Sequence, residues 1–425
     1  MKRIIFCLFL TTVLLTSCFS GDSGNDTETT WETDTSDSQV ETTAEDKETD
    51  TESEDTYDPV TDTENEDVYN DVTDTEGEDS SNDEEDKLGS FIEKMTLEEK
   101  VGQLFLARNP KNRESGIELI KEKKVGGIIF FGSDFRNSTP EAFRELINDY
   151  NGVSNIPLLT AVDEEGGTVC RASLYPKFRS ERFASPAELY DAGGLERVLE
   201  DTREKTEFLL DLGLNFNLAP VADISTDEGD FIYKRALGRG RDEVAEYISA
   251  VVSEMNKGGI LSALKHFPGY GNNEDTHTGI AYDKRSIESL WENDLVPFKR
   301  GIEAGAPVVM VSHNVILSID GERPASLSPE VISLLRDEMG FCGVIMTDDL
   351  SMDAIGDFTE SGEAAVLAVM AGADLLCCSD TERQYEAVIQ AVYEGRISEE
   401  RIELSVRRIL EAKEKIGIFC VEDMP

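Results

Sequence analysis

From residue 88 onward the chain alternates between two textures. Short apolar runs rich in β-branched residues are separated by longer stretches with apolar positions at helical spacing. The runs fall at roughly 104–108, 125–131, 157–163, 214–224, 261–267, 308–313, 343–348 and 373–378. Their continuity, in place of strict alternation, indicates strands of a parallel sheet covered on both faces. Helix starts are marked as well. Thr96-Leu97-Glu98-Glu99 has capping-box spacing, and Ser185-Pro186-Ala187-Glu188 repeats it with Pro at the first helical position. Eight such units over residues 88–425 predict an α/β fold, a (β/α)8 TIM-type barrel. An open doubly wound sheet is the alternative. No Gly-x-Gly-x-x-Gly follows the first strand, which weakens its dinucleotide-binding version.

A barrel of this kind places its chemistry at the C-terminal ends of the strands. Four of the apolar runs finish in polar or ionisable residues: Asp163, Lys265-His266, His313 and Asp348. A charge at the end of a buried strand costs several kcal/mol unless it is paired or opens on a cleft. Four such endings at equivalent positions point to one shared site. His313 by itself leaves a structural and a site-lining role equally open.

Charge changes the picture at the other end of the chain. The 425 residues carry 88 acidic side chains against 40 Lys and Arg, a balance of −48. This excludes a basic nucleic-acid binder. Residues 21–86 alone hold 28 acidic residues and one basic one, Lys47, in repeats of Thr, Asp, Glu and Ser. With almost no large apolar residues, such a segment cannot offset its ordering entropy, and it reads as a disordered linker over 18–87. A flexible coil of that length spans about 45 Å, and like charges extend it. An acidic tail for a cationic partner or metal ions is the rival reading of the same segment. Ahead of it, Lys2 and Arg3 precede an apolar run from Ile4 to Leu15. That is a secretory signal over 1–17, too short for a comfortable membrane span. It ends in Leu15-Thr16-Ser17-Cys18, which resembles the lipobox of bacterial lipoproteins, whose cysteine is acylated. The expectation is a lipid-anchored protein of the bacterial cell envelope, facing away from the cytoplasm. Three histidines and seven scattered cysteines leave little room for a Cys/His zinc site, and no metal is expected. Cys170, Cys342, Cys377, Cys378 and Cys420 read as buried free thiols.

Three segments carry the candidate chemistry. The first is Lys265-His266-Phe267-Pro268-Gly269-Tyr270-Gly271 followed by Asp275-Thr276-His277. The second is Val344-Ile345-Met346-Thr347-Asp348-Asp349-Leu350, and the third Val162-Asp163-Glu164-Glu165-Gly166-Gly167 with Arg171 beyond it. Together they resemble family 3 glycoside hydrolases, in particular the single-domain bacterial β-N-acetylhexosaminidases, over about residues 88–420. The resemblance implies a retaining exo-β-N-acetylglucosaminidase acting on peptidoglycan fragments or chito-oligosaccharides, with no cofactor. It implies Asp348 as nucleophile, His277 as general acid/base and Asp275 as the carboxylate paired with it. It implies Asp163, Arg171, Arg235, Lys265 and His266 as the residues that hold the sugar.

These residue types suit the reaction. Retaining cleavage needs a carboxylate under the anomeric carbon and a proton donor beside the leaving oxygen. A histidine is only partly protonated at neutral pH, and a neighbouring aspartate favours its charged form. Tyr270 stands where the family commonly has His, and the loop before Asp275 is one residue shorter than usual. Arg235 sits in Lys-Arg-Ala-Leu-Gly, looser than the family's Arg-Ser-Phe-Gly. Alternatives are a phosphorylase, a β-glucosidase-like member and a non-catalytic sugar-binding surface lipoprotein.

Overall fold

In the computed structural model the described residues are 86–273 and 279–424. The signal segment, Cys18 and all but the last residues of the acidic linker lie outside them, as do Asp275 and His277.

Eight parallel strands form the barrel: β1 Phe105–Arg108, β2 Gly127–Phe130, β3 Leu159–Val162, β4 Phe216–Asn217, β5 Leu261–Phe267, β6 Val308–Val311, β7 Val344–Thr347 and β8 Leu376–Cys378. Each pairs with the next from β1 to β7, and β1 pairs with β8. A parallel bridge between Met346 and Leu375 closes the ring. All eight expected strands are present, mostly shortened at their ends. The run 214–224 contributes only two residues of strand, Phe216–Asn217. The first helix starts at Lys87, and both expected capping boxes form, at Thr96/Glu99 and Ser185/Glu188. A short parallel pair, Tyr282–Asp283 with Val315–Ile316, lies outside the ring.

Helices close the outer face by burying apolar side chains against the strands. Phe130 of β2 meets Phe143 edge-on, and Phe143 stacks on Phe135 at a centroid distance of 4.6 Å. The N-terminal ends of the strands are pinned by polar groups of a purely structural kind. Asp374, ahead of β8, is buried and accepts from Arg336 at 2.7 Å, Arg408 at 2.9 Å and the Ile345 backbone at 3.0 Å. Three guanidiniums near one carboxylate satisfy a charge that no solvent reaches. Cys170 and Cys377 are buried thiols as expected, whereas Cys342 is exposed, because it lies in the turn between a helix and β7.

One buried cation at this end has a neutral partner among the described residues. Lys413 of the helix Glu399–Lys415 donates to Gln103 Oε1 at 2.9 Å. Burial pulls its ammonium down to about 7. Unfolded, the same group titrates near 10.4, so between about pH 7 and pH 10 the unfolded chain binds more protons and stability rises with pH. Lys413→Met is expected to flatten that rise. Thermal melts of the parent and the variant across this range test it, and parallel curves would refute it.

Candidate functional site

The loops at the C-terminal ends of β3, β4 and β5 converge on one cluster of paired charges. Asp163 follows β3 directly. It accepts from Lys265 Nζ at 2.7 Å and faces Arg171 at 3.8 Å. Glu165, two residues on, receives Lys265 Nζ at 2.6 Å and both arms of Arg235, at 2.8 and 3.0 Å. Burial by itself would raise the Glu165 carboxyl, but the charges of Arg235 and Lys265 outweigh it and hold the group well below the usual carboxylate range. Burial likewise works against the Lys265 ammonium, and Asp163 and Glu165 together push it above its usual range. The charged forms of Glu165, Lys265 and Arg235 therefore favour one another.

His266 enters the same cluster from the next position on β5. In a regular strand, successive side chains point to opposite faces. Here the β5–β6 register shifts between Leu264 and Phe267. At this irregularity Lys265 reaches Glu165 and His266 reaches Arg235. His266 Nδ1 lies 2.7 Å from Asp223 Oδ2 and donates to it. Nε2 lies 3.0 Å from Arg235 Nη2. A guanidinium can only donate, so Nε2 accepts and the hydrogen-bond pattern assigns the Nδ1–H tautomer. Asp223 also accepts from the backbone N–H groups of His266 and Tyr270, at 3.1 and 2.7 Å.

The loop after β3 is built on Glu164 and two glycines. Glu164 is fully buried and accepts from the N–H groups of Arg171 and Ala172, at 3.0 and 2.8 Å, and from the Ser173 hydroxyl. This fold-back brings Arg171 towards Asp163. Gly166 has φ 108°, and a Cβ there would collide with the Ala184 carbonyl. Only glycine fits that close approach.

Asp348 stands on the same end of the barrel, one residue past β7, and is half-buried. Its N–H donates to Val311 O of β6 at 3.1 Å, and its Oδ1 accepts from the Asp349 N–H at 2.8 Å. Asp349 takes the structural part. Its carboxylate accepts from the backbone of Ser351 and Ser379, at 3.0 and 3.2 Å, and so ties the end of β7 to the end of β8. His313 is buried behind this turn. Nε2 donates to the Asp349 carbonyl at 3.1 Å, which leaves Nδ1 to accept from Ser326 Oγ at 2.7 Å. Between the two readings left open for His313, these bonds assign it to holding the turn that carries Asp348.

Arg285 links Gly269 to Asp283 and Asp294. This guanidinium donates to Gly269 O at 2.9 Å, to Asp283 Oδ1 at 3.0 Å and to Asp294 Oδ1 at 2.5 Å.

Of the residues singled out from the sequence, Asp163, Arg171, Arg235, Lys265 and His266 are brought into one connected network, with Asp348 on the same rim. Glu165 and Asp223 belong to that network and escaped notice. Glu165 stood in the Asp-Glu-Glu-Gly-Gly segment, and Asp223 was a lone acid in an apolar run. Glu165→Ala would leave Arg235 buried without its carboxylate partner and Lys265 with Asp163 alone. A stability loss of about 3–5 kcal/mol is expected, measured by urea denaturation. A loss below about 1 kcal/mol would show that water or another carboxylate replaces Glu165.

Residues 96–412 match the glycosyl hydrolase family 3 N-terminal domain. A protein from Xanthomonas euvesicatoria named beta-hexosaminidase is 35% identical over 290 residues, 65% of this chain and 82% of the relative. An uncharacterized secreted glycosyl hydrolase from Arthroderma benhamiae is 30% identical over 310 residues, 70% of this chain and 86% of the relative. Among solved structures, a family 3 beta-N-acetylglucosaminidase from Paenibacillus superposes with a TM-score of 0.72 at 35% identity. That match covers 76% of this chain and 63% of the other. With a domain match across most of the folded chain and a barrel whose ionisable residues gather at one end, the chain belongs to glycosyl hydrolase family 3 and is a glycoside hydrolase.

Proposed function

We propose that the enzyme is a retaining exo-β-N-acetylglucosaminidase that removes terminal N-acetylglucosamine from chito-oligosaccharides or peptidoglycan fragments. The observation that carries the reading is the half-buried Asp348 carboxylate at the C-terminal end of β7, on the rim shared with the paired-charge cluster. The names of the Xanthomonas and Paenibacillus relatives support the choice of sugar.

In this mechanism Asp348 attacks the anomeric carbon while the glycosidic C–O bond breaks. The leaving oxygen takes a proton from the His277 imidazolium, which Asp275 stabilises. Water then attacks the glycosyl ester, hands a proton to the neutral imidazole, and releases the sugar with its configuration retained. Asp163, Arg171, Arg235, Lys265 and His266 hold the sugar in the first subsite. Two features support that assignment. Asp163 and Arg171 are the more open members of the network, with side-chain exposures of 15% and 33%. Arg171 Nε is buried without a hydrogen-bond partner among the described residues. The paired charges keep their donors and acceptors fixed before substrate arrives, so little reorganisation is needed in the transition state.

The reading also places the enzyme outside the cytoplasm, on the bacterial envelope, tethered through an acylated Cys18 and the acidic linker.

Asp348→Ala is expected to lower turnover of an aryl N-acetyl-β-glucosaminide by roughly 10,000-fold while preserving the melting profile. A slow fluorinated N-acetylglucosaminide should label the parent on Asp348, as read by peptide mass mapping. A label on any other carboxylate, or parental turnover in the variant, sinks the mechanism. For the anchor, Cys18→Ala is expected to move the protein from the detergent phase to the aqueous phase in a cell fractionation. Unchanged partitioning would remove Cys18 as the lipid site.

A further inference from the structure

A cavity of about 630 Å³ opens at the N-terminal end of the barrel, the end opposite Asp348. Its position follows from the residues that line it. Gln103, Lys124 and Ile156 lie just ahead of β1, β2 and β3, and Phe91 and Met95 belong to the first helix and its cap. Small-molecule sites commonly have volumes of about 300–1,000 Å³. The glycosidase mechanism uses none of these residues.

The lining is positive, although the chain as a whole has a balance of −48. Among the described residues it holds Lys87, Lys94 and Lys124 against one carboxylate, Glu99. Glu99 is already engaged, because it accepts from the Thr96 N–H at 3.0 Å in the capping box. Lys87 reaches Glu422 at 2.9 Å, but both side chains of that pair are exposed, and such a pair holds its partner weakly. Lys94 and Lys124 have no carboxylate within ion-pair distance among the described residues. Behind the wall, Gln103 Oε1 accepts from buried Lys413, a fourth cation with a neutral partner. Cations gathered on concave, low-dielectric walls raise the local concentration of anions.

Lys124 adds a second kind of observation. It closes the helix Arg113–Lys123 with φ 54° and ψ 35°, in the left-handed region. Among the described residues it is the one non-glycine residue with a positive φ. The helices Arg241–Gly258 and Ser361–Ala371 close in that region with Gly259 and Gly372. Glycine is the usual residue there, and a side chain in this conformation costs stability. A lysine kept in it on the wall of a cavity points to a use for its side chain.

The rest of the wall is mainly aliphatic. Met95, Ile120 and Ile156 are buried, and Phe91 is the one ring. Such a wall complements an alkyl chain better than a stacked base.

We propose that this cavity is a binding site for a monomeric amphiphile, an alkyl chain with an anionic head of the phosphate class. The chain lies against the aliphatic wall and the lysines of the lining receive the head. This site is separate from the sugar site and does not rest on the glucosaminidase reading.

Three probes test it by isothermal titration of the full-length protein: octyl phosphate below its micelle threshold, inorganic phosphate, and the neutral tetraethylene glycol octyl ether. Octyl phosphate should bind the parent at least about 10-fold more tightly than inorganic phosphate, a factor that two buried methylenes supply. It should also bind more tightly than the neutral ether, which keeps the chain and lacks the charge. The Lys94→Gln/Lys124→Gly double variant should lose about 3- to 30-fold for octyl phosphate, the size of two exposed ion pairs, and nothing for the ether. Lys124→Gly by itself should melt no lower than the parent, since glycine relieves the left-handed position, so the lost affinity is not a failure to fold. Asp348→Ala should bind octyl phosphate as the parent does. Equal affinity for octyl phosphate and the ether, or a double variant that binds octyl phosphate like the parent, overturns the proposal. Loss of octyl phosphate binding in Asp348→Ala would place the ligand at the catalytic end and overturn it as well.

Discussion

Lys265 buried between Asp163 and Glu165 is the interaction on which the site depends. Its ammonium is out of reach of water, so the two carboxylates must stand beside it, and they come from a different strand end. A buried ion pair of this kind adds little net stability compared with apolar packing, yet it is costly to break. The fold therefore tolerates it for what it fixes. Arg235 is clamped on Glu165 and His266 on Asp223, so these side chains are held in one orientation.

That network explains details that look unrelated along the chain. The fold-back on Glu164 brings Arg171 towards Asp163. The bulge in β5 turns two successive residues to one cluster. The Asp223 carboxylate joins the His266 ring to the Tyr270 backbone. On the neighbouring arc, His313 and Asp349 do for the Asp348 turn what Asp223 does for His266: they satisfy backbone groups where the ladder ends. The other end of the barrel is closed by groups such as Asp374, held by three guanidiniums, and Lys413, bonded to Gln103.

Much of this was readable in advance, and for definite reasons. Apolar runs spaced by helical stretches specify strands buried on both faces, so all eight strands and both capping boxes were legible. Polar residues closing such runs are energetically out of place unless they serve a site, which marked Asp163, Lys265, His266 and Asp348. That Asp349 ties the end of β7 to the end of β8 was not legible, because either neighbour is able to cap a turn; the serine N–H groups around Asp349 show it. Glu165 escaped for a similar reason. Next to Asp163 and Glu164, a third acid carries no signal of its own until its partners are known.

The sequence by itself determined the barrel, its direction and the strand ends that carry charge, because these follow from local periodicity and from the cost of burying polar groups. Pairing is a matter of distance in space, and only the tertiary structure decided it. Residues 163, 165, 223, 235, 265 and 266 are spread over about a hundred positions and meet because the ring closes. The tautomer of His266 and the structural role of His313 depend on neighbours that lie far away in the chain.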